Sequence, residues 1–184
     1  MELLQSAPPR AGPHPLLCFL HGYDEAAPVP PEVALTRHGP LSPTAAKIAA
    51  EEFILIVPQL PFAGDIWHRF AHDVKTIVEA ASERHGGDAK RAFLTGFSFG
   101  ANGVFDLAGS GLWRALWPVD PTRPPKVDTG VPTWLSVGQV ARSRKAAFMR
   151  ALPKAVCVDE GDDHVGAARR AYADERIYRW LLEQ

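Results

Sequence analysis

Six short apolar runs alternate with longer segments of helical periodicity, and this alternation constrains the fold more than any other feature of the sequence. Strands that are apolar on both faces are typical of a parallel sheet covered by helices on each side. The runs lie at residues 16–20, 53–57, 91–95, 114–118, 133–137 and 154–158. Their order predicts an α/β fold, a three-layer sandwich doubly wound around about six mostly parallel strands.

Capping residues and apolar spacing predict where the helices lie. A helix is expected after Ser42-Pro43, because a capping residue precedes a proline there. A second helix has an apolar stripe over residues 70–81 and ends at His85-Gly86-Gly87. Further helices are expected over residues 99–109 and 143–152, and in a C-terminal segment that breaks at Asp174.

Composition excludes several classes of function. The 184 residues are enough for one domain, residues 1–184, of which residues 1–15 are expected to be loosely ordered. The formal net charge is −1, so no basic surface indicates nucleic acid or an anionic membrane as a partner. No signal peptide and no membrane-spanning run is expected. Cys18 and Cys157 lie in apolar runs and are interpreted as buried thiols, which predicts a cytoplasmic location.

The sequence Gly96-Phe97-Ser98-Phe99-Gly100 fits the G-x-S-x-G pattern, with a predicted strand before it and a predicted helix after it. In this setting the serine occupies a sharp turn that exposes its hydroxyl, and the glycines permit close approach of neighbouring backbone. The Phe99 N–H, at the start of the helix, is then directed at an oxyanion. The alternative is that Gly96 merely ends a strand while Gly100 allows close helix packing.

His21-Gly22 directly follows the first apolar run. An HG pair at this position commonly supplies the second backbone donor of an oxyanion hole. That donor is expected to be the N–H of Tyr23 or of Asp24. Alone, the pair is equally typical of an ordinary turn after a strand.

Among the seven histidines, His164 is the one that lies in a loop after the last predicted strand. An imidazole there reaches the carboxyl ends of the strands, where ligands of α/β proteins bind, and is a candidate general base. The alternative is a solvated loop histidine. His68 and His72 have the spacing of a helical metal pair, but a solvated helix face explains them better because no zincin pattern surrounds them.

On these residues the chain resembles the α/β-hydrolase superfamily, and more narrowly the small bacterial phospholipase/carboxylesterase group, which is dienelactone-hydrolase-like. The matching segments include LCFLHGYDE, ILIVPQLP, RAFLTGFSFGANGVFDLA, VPTWLSVG and DHVGAARRAYADERIYRWLLEQ, which cover nearly the whole chain after residue 15. The resemblance implies that Ser98 is the nucleophile, that His164 is the general base, and that the loop at Gly22 and Tyr23 is the oxyanion partner of Phe99.

The group usually places its acid just after the strand that matches residues 133–137, but residues 137–143 contain no carboxylate here. Asp120 is the best replacement, because the tips of adjacent parallel strands lie close together and some lipases of the superfamily look similar there. Three alternatives remain: Asp120 only initiates a turn before Pro121, no carboxylate orients the imidazole, or Asp162 or Asp163 serves instead.

The resemblance therefore implies a serine hydrolase that cleaves carboxylic esters, with Ser98, His164 and Asp120 as catalytic residues and with Tyr23 and Phe99 in the oxyanion hole. No metal or organic cofactor is implied, and the expected partner is a small-molecule ester, not a nucleic acid or a membrane. The sandwich uses most of the chain, so no lid domain is expected. Two alternatives are a degenerate hydrolase that binds without turnover, and amide hydrolysis.

Overall fold

The computed structural model describes residues 1–9 and 12–184, which form a seven-stranded sheet with helices on both faces. The strands are β1 (Glu2–Ser6), β2 (His14–Leu20), β3 (Ile54–Gln59), β4 (Gly87–Phe97), β5 (Ala115–Val119), β6 (Trp134–Val137) and β7 (Val156–Asp159). They lie in the order β1-β3-β2-β4-β5-β6-β7. Strand β1 pairs antiparallel with β3, whereas the pairs from β3 to β7 are parallel.

Helices connect the parallel strands and cover both faces of the sheet. They are α1 (Pro31–Ala34), α2 (Ile48–Glu52), α3 (Ala71–His85), α4 (Phe99–Leu107), α5 (Gln139–Arg142), α6 (Lys145–Ala151), α7 (His164–Ala173) and α8 (Glu175–Leu182). Short 3₁₀ helices occur at Tyr23–Glu25, Trp67–Phe70 and Ala108–Ser110. None of the helices in the described part of the chain combines the length and hydropathy that crossing a bilayer requires.

The central strand β2 shows why the sheet needs a helical layer on each side. Leu17 and Phe19 face the layer formed by α2, α7 and α8. Leu16, Cys18 and Leu20 face the layer formed by α3 and α4. All five side chains are fully buried, because successive residues of a strand point to opposite faces. The continuous apolar runs therefore predicted the three-layer α/β sandwich correctly.

Local capping signals were also read correctly in two helices. Helix α3 ends at Gly86, which has a left-handed φ of 65°. Its predicted inward stripe includes Val74, Val78 and Ala81, which are buried. The C-terminal break occurs at Asp174, whose side chain accepts the Arg176 N–H at the start of α8. The predicted helix over residues 143–152 is α6, preceded by the single turn of α5.

The amino-terminal segment differs from the sequence expectation. Residues 2–6, expected to be loosely ordered, form β1, and β2 begins at His14. Strand β1 pairs with β3 from Glu2 opposite Gln59 to Ser6 opposite Leu55. This partner lies far along the chain, so five half-buried residues carry little local signal of the pairing. The sheet consequently has seven strands where about six were expected.

Ser42-Pro43 does not begin a helix. Residues 41–47 form turns and bends, and α2 begins at Ile48. The Ala46 N–H donates to the carbonyl oxygen of Tyr172 in α7 at 2.9 Å. This tertiary hydrogen bond holds the segment against α7 and delays the helix.

Candidate active site

Ser98 lies in a tight turn between β4 and α4, with φ 57° and ψ −117°. A positive φ is strained for a residue with a side chain and recurs at functional sites. The flanking glycines make the turn possible. A Cβ on Gly100 would lie 1.8 Å from the Leu20 carbonyl oxygen, and a Cβ on Gly96 would lie 2.5 Å from the backbone of Gly100. The G-x-S-x-G spacing is therefore a requirement of the backbone here.

His164 is the first residue of α7, and its ring lies next to the Ser98 turn. Its Nδ1 is 2.6 Å from Oδ2 of Asp120. The ring of Phe97 packs against the imidazole with 4.5 Å between centroids. A carboxylate accepts a proton at this distance, so the geometry assigns the ring proton to Nδ1. Nε2 is thereby the ring nitrogen that can accept a proton.

The Asp120 carboxylate is fully buried at the end of β5. Besides His164 it accepts three backbone N–H groups, from Gly138 at 2.9 Å, Val140 at 3.2 Å and Ala141 at 2.8 Å. Charge-assisted hydrogen bonds of this kind stabilise a buried anion. A Cβ on Gly138 would lie 2.6 Å from Asp120 Oδ2, so this position needs glycine. The loop expected to carry the acid instead donates hydrogen bonds to a carboxylate from the neighbouring strand.

Tyr23 and Phe99 meet beside Ser98. Their rings contact edge to face with 5.8 Å between centroids. A Cβ on Gly22 would lie 3.4 Å from the Cβ of Ser98, so the Gly22 backbone lies directly against the serine. Tyr23 begins a 3₁₀ helix and Phe99 begins α4, and the first N–H groups of a helix have no partner within it. Both backbone donors are therefore available on the side where Ser98 lies.

His21 and Trp67 support this loop from beneath. His21 Nε2 accepts the Leu60 N–H at 2.9 Å, and Nδ1 donates to the Gly22 carbonyl oxygen at 2.7 Å. Burial lowers the pKa of His21 to about 4, so the ring is neutral at physiological pH. Trp67 Nε1 donates to the carbonyl oxygen of His21 at 3.2 Å. These contacts fix the backbone that precedes Tyr23.

Glu25 is a buried carboxyl group next to the same loop. Its Oε2 accepts the Gly22 N–H at 2.6 Å, while Oε1 is buried without a hydrogen bond. Burial raises the pKa of Glu25 to about 7, whereas the Gly22 N–H and the Arg37 charge act in the opposite direction and Asp24 adds to the rise. Sequence reasoning quoted Glu25 only as part of a motif, and only the tertiary structure reveals its burial.

We expect Glu25→Gln to change how stability depends on pH. The wild-type carboxyl has its pKa raised from 4.5 to about 7 on folding, so its favourable contribution is complete below pH 4.5 and is lost as the pH rises through 7. The variant lacks this titration and should therefore gain about 3 kcal/mol over wild type between pH 4.5 and pH 8. Urea unfolding across this range measures the difference. The exposed Glu32→Gln is the matched control, and parallel curves for Glu25→Gln and wild type would contradict the burial effect.

The remaining candidates have other partners. Asp162 pairs with Arg170 at 2.8 Å, and Asp163 caps α7 by accepting the Gly166 N–H at 2.6 Å. His68 is exposed and lies 3.9 Å from Asp106. Within residues 1–9 and 12–184, no three His, Cys, Asp or Glu side chains are grouped so that they could hold a metal ion.

A cavity of about 310 Å³ opens over Ser98 and His164. Gly22, Tyr23 and Phe97 contribute to its wall. Arg37 and His38 also line it, although no sequence motif indicated them. They follow α1, a short helix whose position depends on long-range packing.

The same architecture occurs in solved esterase structures. A thermostable esterase matches with a TM-score of 0.76 at 19% sequence identity, covering 99% of this chain and 58% of the esterase chain. The esterase Est22 matches with a TM-score of 0.62 at 15% identity, covering 97% and 76% of the two chains. An acetyl xylan esterase from Aspergillus awamori matches with a TM-score of 0.51 at 17% identity, covering 65% and 46%.

No protein-family model matches the sequence, and no curated protein matches it. The structural matches establish the α/β-hydrolase fold for this chain. The chain spans less than two thirds of the length of the thermostable esterase.

Proposed function

We propose that this protein is a serine hydrolase that cleaves small carboxylic esters. The observation that carries the proposal is the 2.6 Å contact between His164 Nδ1 and Asp120 Oδ2, formed beside a serine with a strained φ of 57°. A serine turn, an imidazole and a buried carboxylate, each from a different element, are the parts that acyl transfer requires. The esterases that share the fold support the same reaction class.

In this mechanism Ser98 Oγ attacks the acyl carbonyl carbon while His164 Nε2 removes the hydroxyl proton. Asp120 holds the proton on Nδ1 and stabilises the imidazolium that forms. The Tyr23 and Phe99 N–H groups stabilise the negative charge on the tetrahedral intermediate. His164 then returns its proton to the leaving alcohol as the ester C–O bond breaks.

Water completes the cycle. His164 removes a proton from the water as the oxygen attacks the acyl-enzyme carbonyl carbon, and the second tetrahedral intermediate returns Ser98 as a hydroxyl. The products are a carboxylic acid and the free enzyme. The residues of this chain supply each proton transfer in the cycle.

The contact of Asp120 with His164 also favours turnover over a degenerate, non-catalytic hydrolase. The reason for that alternative is the missing carboxylate in residues 137–143, and Asp120 occupies the position that such a carboxylate would serve. Membership of the phospholipase/carboxylesterase group and a cytoplasmic location remain part of this proposal. The two free thiols, of which burial raises both pKa values, are compatible with a reducing compartment.

A panel of p-nitrophenyl esters tests the function and the expected size of the substrate. A cavity of about 310 Å³ is at the small end of ligand sites, so we expect kcat/KM to be highest for acetyl and butyryl esters. The value should fall at least about tenfold by the decanoyl ester, because added methylenes have no enclosed wall to contact. A fluorophosphonate probe should label the same protein covalently. Absence of both labelling and turnover would contradict the function, and a preference for emulsified long-chain esters would contradict the size limit.

A further inference from the structure

The mechanism above gives no role to Glu25, although its side chain is buried among the residues that line the cavity. Glu25 ends the 3₁₀ helix that begins with Tyr23. Its Oε2 lies 2.6 Å from the Gly22 nitrogen. A Cβ placed on Gly22 would lie 3.1 Å from that oxygen and 3.4 Å from the Ser98 Cβ. The carboxyl group and the serine therefore flank the same peptide segment.

The rest of the loop is tied to the end of β3. Gln59 Nε2 donates to the carbonyl oxygen of Glu25 at 2.9 Å, and the Leu60 N–H donates to His21 at 2.9 Å. These two contacts fix the segment at both of its ends. Between them, the Glu25 carboxyl binds the Gly22 N–H, in the manner of the glutamate in a capping box. This contact sets the orientation of the next peptide, which carries the Tyr23 N–H.

Glu25 is an expensive residue at this position. A carboxyl oxygen that is buried without a hydrogen bond destabilises a fold, and Oε1 is such an atom. Arg37 and Asp24 are the charged groups that act on the carboxyl, in opposite directions, and burial dominates both. An apolar side chain would fill the same space without this penalty. The contact that an apolar side chain lacks is the hydrogen bond to Gly22.

We propose that Glu25 is a positioning residue that holds the Gly22 peptide so that the Tyr23 N–H stays directed at the oxyanion formed at Ser98. The proposal rests on the proposed ester hydrolysis. It requires an acceptor atom at this position and does not require a charge, since the amide oxygen of glutamine accepts the same N–H.

Two substitutions separate this role from simple packing. Glu25→Met keeps the volume and removes the acceptor, whereas Glu25→Gln keeps both the volume and the acceptor. We expect Glu25→Met to lower kcat about 10- to 100-fold on p-nitrophenyl acetate, below the loss from deleting a whole oxyanion donor. Its KM should remain within about twofold of wild type, because the contact acts on the transition state. Glu25→Gln should retain kcat within about threefold, and the exposed Glu32→Met serves as the control.

Amide hydrogen exchange gives a readout that does not need turnover. In wild type and Glu25→Gln the Gly22 N–H should be protected, and in Glu25→Met its exchange should accelerate at least about tenfold. An unchanged kcat in Glu25→Met, a change confined to KM, or equal Gly22 exchange in the two variants would overturn the proposal. If wild type neither turns over esters nor reacts with fluorophosphonate, the proposed function fails, and the Gly22 exchange rates still decide whether Glu25 anchors the loop.

Discussion

Ser98→Ala is expected to remove ester hydrolysis, with a loss in kcat on the order of 10⁶-fold if turnover passes through an acyl-enzyme. Ser98 Oγ is the atom that forms the covalent bond, so no other group in the cavity replaces it. Alanine tolerates the φ of 57° about as well as serine does, and the variant should therefore keep the turn and the fold. Fluorophosphonate labelling followed by intact-protein mass measurement should show one adduct on wild type and none on the variant.

Ser110→Ala is the matched control for this experiment, since Ser110 is exposed at the end of a short 3₁₀ helix. It should label and turn over like wild type. Circular dichroism of Ser98→Ala should overlay that of wild type. Labelling that persists in a folded Ser98→Ala protein would assign the nucleophile to another residue and end the Ser98 proposal.

The serine turn was predictable because its constraints lie within a few residues. Gly96 and Gly100 surround Ser98 in the sequence, and the strand and helix on either side have local periodicity. The apolar runs were predictable for a related reason: a strand buried on both faces needs no knowledge of its neighbours to be apolar throughout. His164 was found from its place after the last strand, where parallel topology brings loops together.

The features that the sequence did not reveal depend on distant partners. Strand β1 exists through its register with β3, and the start of α2 shifts because Ala46 donates to Tyr172. The burial of Glu25 follows from the packing of the loop against Gln59. None of these contacts joins residues that are close in sequence, so periodicity and capping rules carry no information about them.

Asp120 lies between these two cases. Its position at a strand end was visible in the sequence, and topology made it the best replacement for the missing acid. Its hydrogen bonds to Gly138, Val140 and Ala141 come from a loop that sequence reasoning treated only as a place without a carboxylate. The three N–H donors explain how an acid on the neighbouring strand can be buried in this position.

Asp120→Asn is expected to preserve the fold and to lower kcat about 10⁴-fold. Oδ1 of Asp120 accepts the Gly138 and Ala141 N–H groups, so the amide oxygen of asparagine must take that position. The amide nitrogen then faces His164 Nδ1 and donates a hydrogen bond to it. This moves the ring proton to Nε2, the nitrogen that must accept the Ser98 proton. The tautomer is therefore wrong for catalysis although the geometry is kept.

Steady-state kinetics on p-nitrophenyl acetate test this expectation, with Asp162→Asn as the control because Asp162 pairs with Arg170 and not with His164. The control should lose less than about tenfold, since removal of an exposed ion pair has a small effect. A folded Asp120→Asn protein with near wild-type kcat would show that the 2.6 Å contact does not serve catalysis. Equal losses in the two variants would point to a general effect of carboxylates near α7. A loss confined to Asp120→Asn requires the carboxylate itself, because asparagine fills the same space and retains the Oδ1 contacts.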